Sequence, residues 1–599
     1  MTSNLGLNLG SLRHLYRSGT ASPSDVVAEV YDRIRSGPLA PIWISLVSRE
    51  TALARARALE RDPLAAARPL YGIPFAVKDN IDVTGLATTA GCPKYSYLPK
   101  QSAAVVEALI DAGAILVGKT NMDQFATGLA GTRSPYGDCS CVFDERYISG
   151  GSSSGSAAAL ASGHVSFALG TDTAGSGRVP AAFNNLVGLK PTRGLLSTRG
   201  VVPACRTLDC VSIFTTTCHD AHTVWQAARG FDAADPFSRN RKPGEGAAPW
   251  LAGGFRFGVP DDEQLEFLGD EEAAALYYRA VRDVEALGGH RVTIDFSAFR
   301  AAGDLLFAGP WGAERYAAIG PFLESHGDQM DPVVREVIAS SRYFTAVQVF
   351  EAEYRLRELQ RTAEAQWAHM DLLLVPTAAT IYTHEEVAAD PIGLSTNLGY
   401  YTSFVNLLDL AAVAVPAGFR AKGLPFGISL IGPAFSDEAL LAVADRYHRW
   451  HAQPPGPAVS LEFDAPGCVS VAVVGAHLSG EPLNWQLIER GARKVKTCRT
   501  APGYRLYALE HTLPLKPALV RDESYSGQGI EVEVWAVPED EFGSFVAAVG
   551  PPFGIGNAML DNSESVKCLT CEPGAVAGAS EITRFGGWRA YLAQAVFAK

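Results

Sequence analysis

The chain of 599 residues has no uninterrupted apolar run approaching the roughly 18 residues of a membrane-spanning helix. Met1 to Gly10 lacks both a basic start and a continuous apolar core. Neither a membrane anchor nor a signal peptide is therefore expected, and the predicted location is the cytoplasm. Basic residues are in deficit, 51 against 64 acids, for a net charge of −13. Nucleic-acid binding relies on clustered Lys and Arg, so nucleic acid is not expected as a direct partner. Cysteine is sparse and scattered, with ten in the whole chain. One C-x-x-C (Cys568, Cys571) and one close pair (Cys139, Cys141) stand without a second pair or nearby histidines. That pattern points to reduced structural thiols and away from zinc. A phosphate-cradling loop is excluded because no Gly-Lys-Ser/Thr follows either glycine-rich run described next.

What remains is an ordinary globular composition, 47% hydrophobic and 19% charged, in a chain long enough for more than one core. Two runs dominate it: Gly150-Gly151-Ser152-Ser153-Ser154-Gly155-Ser156, and Gly170-Thr171-Asp172-Thr173-Ala174-Gly175-Ser176-Gly177-Arg178-Val179-Pro180. Between them lie a small-residue helix pattern from Ala157 and the apolar strand pattern Val165–Leu169. Each run therefore sits at a turn. Glycines there let the backbone turn its N–H groups inward, as a site for a developing oxyanion requires, and the serines offer a nucleophile. A flexible linker is the alternative for such a run, but a linker would not be embedded in apolar strand and helix patterns.

Upstream, Gly72-Ile73-Pro74-Phe75-Ala76-Val77-Lys78-Asp79-Asn80 ends an apolar strand on a lysine. Taken together in this order, the three motifs resemble the amidase signature family, and Ser152 and Ser176 stand 24 positions apart, the separation expected of it. The resemblance implies Ser176 as nucleophile, Ser152 as a bridging serine after a cis peptide bond, and Lys78 as base. It also implies an oxyanion hole made by the N–H groups of Asp172, Thr173, Ala174 and Gly175. Ser154 and Ala174 depart from the pattern, standing where glycine is common. A buried Lys78 is favoured as the neutral amine, which can accept a proton; the alternative is a lysine reaching out to solvent.

Along the chain, Ser22-Pro23 with Asp25 reads as a helix start. Val26, Val27, Val30, Tyr31 and Ile34 follow at helical spacing. Strand and helix patterns then alternate: Ile42–Val47, Thr51–Glu60, Ile73–Val77, Ala103–Ala112, Ile115–Val117. This predicts α/β architecture, a mixed sheet flanked by helices. Further helices are expected at Ala273–Leu287, around Trp311–Tyr316, across the sheet at Thr345–Met370, and at Asp437–Trp450 capped by Ser436. Buried strands are expected at Asp371–Thr377 and ending at Ala417-Gly418. Gly118–Gly137 is a loop that could wrap a small ligand. The resemblance places Gly128, Leu129 and Ala130 near the leaving group, and the Gln124-Phe125-Ala126-Thr127-Gly128 string is most similar to the allophanate hydrolases of that family.

A proline-rich stretch around Gln453–Pro457 then marks a boundary. It divides the predicted organisation into residues 1–455, a linker 456–467, and a β-rich domain 468–599 with short strands at Val469–Val474, Tyr504–Leu509 and Ile530–Val537. Through Val474-Gly475-Ala476-His477-Leu478-Ser479-Gly480-Glu481-Pro482-Leu483-Asn484 and Phe585-Gly586-Gly587-Trp588-Arg589, this last part resembles the C-terminal domain of allophanate hydrolases, a γ-glutamyl cyclotransferase-like fold. His477 is its candidate site residue, either facing a pocket or held structurally.

The resemblance implies amide hydrolysis: allophanate (urea-1-carboxylate) converted to ammonia and carbon dioxide through an N-carboxycarbamate, in urea or s-triazine-type nitrogen catabolism. It requires no metal and no organic cofactor, and implies a homodimer with a functional link to urea carboxylase. A carboxylate substrate in an acidic protein needs a fixed cation. Arg315 is the candidate, with a surface ion pair to Glu314 or Glu353 as its alternative. Phe307, eight positions earlier, stands where the resemblance implies a tyrosine. Other readings are a broader amidase, the amide-hydrolysing component of a tRNA-dependent amidotransferase, and a scaffold without activity in a urea-degrading complex.

Overall fold

A computed structural model describes residues 6–37, 41–240, 254–451, 468–509, 512, 514–522, 524–561 and 564–597. The chain divides into two compact units, Met1–His451 and Ala452–Lys599. The stretch 456–467 read as a linker lies outside the described residues. Among the described residues no helix is long and apolar enough to cross a membrane.

The strands of the first unit are β1 (Trp43–Leu46), β2 (Pro74–Lys78), β3 (Ile115–Thr120), β4 (Ser140–Cys141), β5 (Asp144–Ile148), β6 (Phe167–Asp172), β7 (Val187–Lys190), β8 (Cys210–Thr215), β9 (Phe255–Pro260), β10 (Gly289–Ile294), β11 (Leu372–Pro376), β12 (Leu410–Phe419) and β13 (Pro425–Pro433). β4 and β5 form a separate hairpin. The other eleven make one sheet in the order β1-β3-β2-β6-β8-β7-β12-β13-β11-β9-β10. Within it β3, β2 and β6 run parallel, while β8 joins β6 antiparallel. The sheet is mixed, as expected.

Every residue of β2, β3, β6 and β8 is buried, which is why these segments read as near-continuous apolar runs: both faces of the sheet are covered. Alternation along β11 shows the two cores. Leu372 and Leu374 join the helices carrying Val27, Ala56, Val224 and Leu440, whereas Leu373 and Val375 join Phe299, Leu356 and Phe404 on the other face. The first of those helices, Pro23–Ser36, begins with the predicted capping box. Ser22 Oγ accepts the Asp25 N–H at 3.2 Å, and the Asp25 carboxylate accepts the Ser22 N–H at 2.9 Å. Such a cap contributes about 1 kcal/mol.

One expectation needs correction. Helix Ala346–Gln366, predicted to lie across the sheet, rests on helix Ser297–Ala308. Leu356, Leu359 and Ala363 are its buried residues. They share a core cluster with Phe299 and Ala302, and the shorter helix packs in turn on Phe404–Leu407, which contacts β12.

The second unit contains β14 (Cys468–Val473), β15 (Arg493–Arg499), β16 (Tyr504–Leu509), β17 (Lys516–Arg521), β18 (Glu531–Pro538), β19 (Phe553–Met559), β20 (Ser565–Cys571) and β21 (Ser580–Glu581). They form a five-stranded sheet, β15-β18-β14-β20-β19, and a three-stranded one, β17-β16-β21. Val471, Val473, Leu506, Val532, Val534 and Trp588 fill its core.

Each unit has a hydrophobic core of its own. We therefore expect residues 1–455 to fold alone. In calorimetry the intact chain should show separable transitions, one of them reproduced by the 1–455 fragment. An insoluble fragment, or a single transition that the fragment lacks, would contradict this.

Candidate active site

The parallel trio β3-β2-β6 brings three distant segments to one edge of the sheet. Lys78 is the last residue of β2 and Asp172 the last of β6. Loops leaving the carboxyl ends of parallel strands are the usual place for a site in such sheets. Ser176 lies in the turn after β6, and Ser152 stands just before helix Ser154–Ala161, following a cis Gly151–Ser152 peptide bond. Lys78 Nζ is 2.7 Å from Ser152 Oγ, and Ser152 Oγ is 3.0 Å from Ser176 Oγ. The three side chains make a continuous hydrogen-bonded line, and Lys78 and Ser152 are fully buried.

Among the described residues Lys78 has no carboxylate within contact distance. Its other neighbour is the Thr171 hydroxyl at 2.8 Å, which also accepts from Asn80 Nδ2 at 3.2 Å. Burial brings the lysine down from its ordinary 10.5 to about 7; the charges of Asp123, Asp172 and Asp209 oppose that shift, and Arg315 adds to it. An amine with this value is partly neutral near pH 7, with a lone pair to take a proton.

The three carboxylates are held by donors of their own. Asp172 receives Arg178 Nε and Nη2 at 3.0 and 2.9 Å, a two-pronged pair with both side chains fully buried. Burial pushes the Asp172 carboxyl up, but Arg178 more than offsets this and holds it below the ordinary range. Asp172 also accepts the N–H groups of Gly175 at 2.9 Å and Gly177 at 3.0 Å. This corrects the expected oxyanion hole. Asp172 pairs with Cys210 in the sheet and works through its carboxylate, and the Gly175 N–H is already bonded to it. Thr173 and Ala174 keep N–H groups with no partner among the described residues, as does Ser176. Gly175 is required by shape: its φ is +136°, and a Cβ would lie 2.3 Å from Thr402 Oγ1. Ala174 and Ser154 have no positive φ, so the departures from glycine impose no backbone strain there.

Asp123 is the carboxylate missed in sequence. It is fully buried, accepts the N–H groups of Gly131 and Arg133 at 3.0 and 2.9 Å, and gives its own N–H to the Ser152 carbonyl at 3.1 Å. A Cβ on Gly151 would meet Asp123 Oδ2 at 2.1 Å. The predicted ligand loop lies against this point through its backbone: the Leu129 carbonyl accepts the Gly151 N–H at 2.7 Å. Leu129 and Ala130 are buried in a cluster with Ile148, Val179 and Phe183. Gly128, at φ +146°, sits beside Asp123 and Arg133. The available signal was an acid inside the apolar, glycine-rich stretch 118–131. Arg178, six residues after Asp172, carried a similar one.

Arg315 lies in the first turn of helix Gly312–His326. Its charge reaches Lys78, Asp209 and Arg133, and its Nε is buried without a hydrogen-bond partner among the described residues. The surface ion pair with Glu314 does not form, because Glu314 is engaged by Thr207. Phe307 is 46% exposed and its ring lies beside Gly399, three positions before the Thr402 that abuts Gly175. The structure does not bring it to the triad. His477, in the second unit, is held structurally: Nε2 lies 2.8 Å from Gln486 Oε1 and the ring packs edge-on against Phe545. Burial lowers it to about 4, so it is neutral near pH 7.

Comparison with known proteins follows this division. A family model described as Amidase matches residues 25–441, and one described as Allophanate hydrolase C-terminal domain matches 469–593. The urea amidolyase of Saccharomyces cerevisiae is 41% identical over 98% of this chain, which spans 33% of that protein. The chain thus covers about a third of the length of that relative. A solved structure of Kluyveromyces lactis allophanate hydrolase is 41% identical, with a TM-score of 0.71, covering 98% of this chain and 99% of that one. A glutamyl-tRNA(Gln) amidotransferase component from Streptococcus pneumoniae is 32% identical over 74% of this chain and 96% of its own length.

Two outcomes follow from the geometry. Ser176→Ala and Lys78→Ala should each lower amide turnover by roughly 10³-fold or more while leaving the fold intact; retention of about a tenth of the activity would contradict the assignment. Because Lys78 must be neutral to accept a proton, kcat/KM should fall as pH drops through about 7. Removing the positive charge in Arg315→Ala should move that acid limb upward, and a pH profile on a neutral amide checks both.

Proposed function

The chain belongs to the amidase family, and we propose that it hydrolyses allophanate by serine-based acyl transfer in a urea-degrading route. The observation carrying this reading is an arginine whose Nε has no hydrogen-bond partner among the described residues and whose charge reaches the buried, near-neutral lysine that is linked through Ser152 to Ser176. Allophanate has both a ureido carbonyl for Ser176 and a carboxylate for Arg315, whose guanidinium can grip it with two parallel bonds.

In this reading Lys78 accepts a proton from Ser152 as Ser152 takes one from Ser176, and Ser176 Oγ attacks the terminal ureido carbonyl. The N–H groups of Thr173, Ala174 and Ser176 are the candidates to hold the oxyanion. Asp172, clamped by Arg178, fixes the loop that presents them. Collapse of the tetrahedral intermediate, with the proton returned to the leaving nitrogen, releases ammonia and leaves a carbamate ester on Ser176. Water, deprotonated along the same line, releases N-carboxycarbamate, which then decarboxylates. The second unit would act on that product, with His477 as a neutral positioning group. Similarity to urea amidolyase supports a functional link to a urea carboxylase. A homodimer belongs to the same proposal.

A broader amidase is the main alternative. The amidotransferase component offers no counterpart for residues 469–593, and the intact line from Lys78 to Ser176 weighs against a scaffold without activity.

Ammonia release from allophanate, glutamine and acetamide by the purified chain separates these readings. At a pH above the acid limb, Arg315→Ala should raise KM for allophanate roughly 10- to 150-fold, the value of a hydrogen bond to a charged group, with little effect on acetamide. An unchanged allophanate-to-acetamide preference would favour the broader amidase.

A further inference from the structure

Between β7 and β8 the chain makes a turn, Ala204–Asp209, that touches both halves of the site. At its base the Asp209 carboxylate accepts the N–H groups of Ala204 and Cys205 at 2.9 and 3.1 Å, closing the turn on itself. The same carboxylate accepts the Thr173 hydroxyl at 2.5 Å, which ties the turn to the loop of the oxyanion donors. At its tip, Thr207 gives its N–H to one oxygen of Glu314 at 2.9 Å and its hydroxyl to the other at 2.5 Å. Cys205 Sγ reaches the Trp311 carbonyl at 3.3 Å. Trp311 and Glu314 stand at the start of the helix that carries Arg315.

The turn is therefore a bridge between the group that stabilises the reacting carbonyl and the group that holds the carboxylate. Behind it lies a cavity of about 270 Å³ bordered by Gly200, Val201, Pro203 and Arg206. The middle of the turn is held as well: the Thr207 carbonyl accepts Arg193 Nη1 at 2.7 Å, the Leu208 carbonyl accepts Asn406 Nδ2 at 2.9 Å, and Leu208 is buried in the core. Successive helix residues project about 100° apart. Clamping Glu314 to the turn therefore sets the rotation of the helix and the direction of Arg315.

We infer that Ala204–Asp209 is a strap that sets the span between the oxyanion loop and Arg315, and so selects amides whose carboxylate stands at one fixed distance from the reacting carbonyl. Thr207, Glu314 and Asp209 are positioning residues in this scheme; none is required to touch the substrate. The inference rests on Arg315 as the carboxylate anchor.

The test compares Thr207→Val and Glu314→Gln with the parent chain on allophanate, on succinamate, whose carboxylate stands one methylene further out than that of malonamate, and on acetamide. Misplacing a binding group by about 1 Å can cost 10²-fold, so KM for allophanate should rise roughly 10- to 100-fold. The discrimination against succinamate should shrink, kcat for acetamide should be unchanged, and Thr207→Ser should restore the parent values. Unchanged KM for allophanate, or a parallel loss on acetamide, would overturn the strap. Arg315→Ala run alongside separates the two levels. If it alters the allophanate preference while both strap variants do not, the strap fails and the anchor stands. If it alters nothing, the anchor fails and the strap with it.

Discussion

A lysine buried with no counter-ion in contact among the described residues is the constraint on which the rest of the site depends. Bringing Lys78 from 10.5 to about 7 corresponds to on the order of 5 kcal/mol of disfavoured charge, at about 1.4 kcal/mol per unit. The fold must keep that charge disfavoured even though three carboxylates lie nearby. It does so by occupying each of them: Arg178 grips Asp172, the backbone of Gly131 and Arg133 holds Asp123, and Thr173 with Ala204 and Cys205 holds Asp209. Among the described residues, the groups that hydrogen-bond the amine are hydroxyls, from Ser152 and Thr171. A proton can therefore move along neutral groups, and the carboxylates tune the lysine from a distance.

The scaffold supplies this arrangement because adjacency in the sheet is not adjacency in the chain. β2 pairs with β6 about ninety positions later, in parallel register through Phe75–Phe167, Ala76–Ala168 and Val77–Leu169. That register puts Lys78 beside the end of β6, where Thr171 and Asp172 lie. The two serine turns then close over it from opposite directions, one after β6 and one before helix Ser154–Ala161. Helix Gly312–His326 carries Arg315 in its first turn, and the charge of Arg315 reaches Lys78; in the proposed reading it anchors the substrate carboxylate.

What was legible in sequence was local. The Ser22-Pro23-Asp25 cap, the lysine ending an apolar strand and the two glycine-serine turns each express their geometry within a few residues, and the sheet class followed from alternating patterns. What was not legible depends on partners far apart in the chain. The Gly175 N–H looked free until the Asp172 carboxylate folded back onto it. Asp123 gave no sign that it would sit against the Gly151–Ser152 bond. Helix Ala346–Gln366 showed an apolar stripe, but nothing in the stripe told that its main partner would be helix Ser297–Ala308. His477 followed a strand and preceded a glycine turn, a context shared by site and structural histidines alike; the Gln486 and Phe545 that hold it lie outside that local pattern.

The central claim is that the base is a neutral lysine in the resting protein. Its most direct measurement is an NMR titration of the protein carrying ¹³C at the lysine ε-carbons, with the Lys78 resonance assigned by its loss in Lys78→Arg. The account predicts that the Lys78 resonance titrates near pH 7. A Lys78 resonance that stays in its protonated position until about pH 10, the ordinary lysine range, would contradict it.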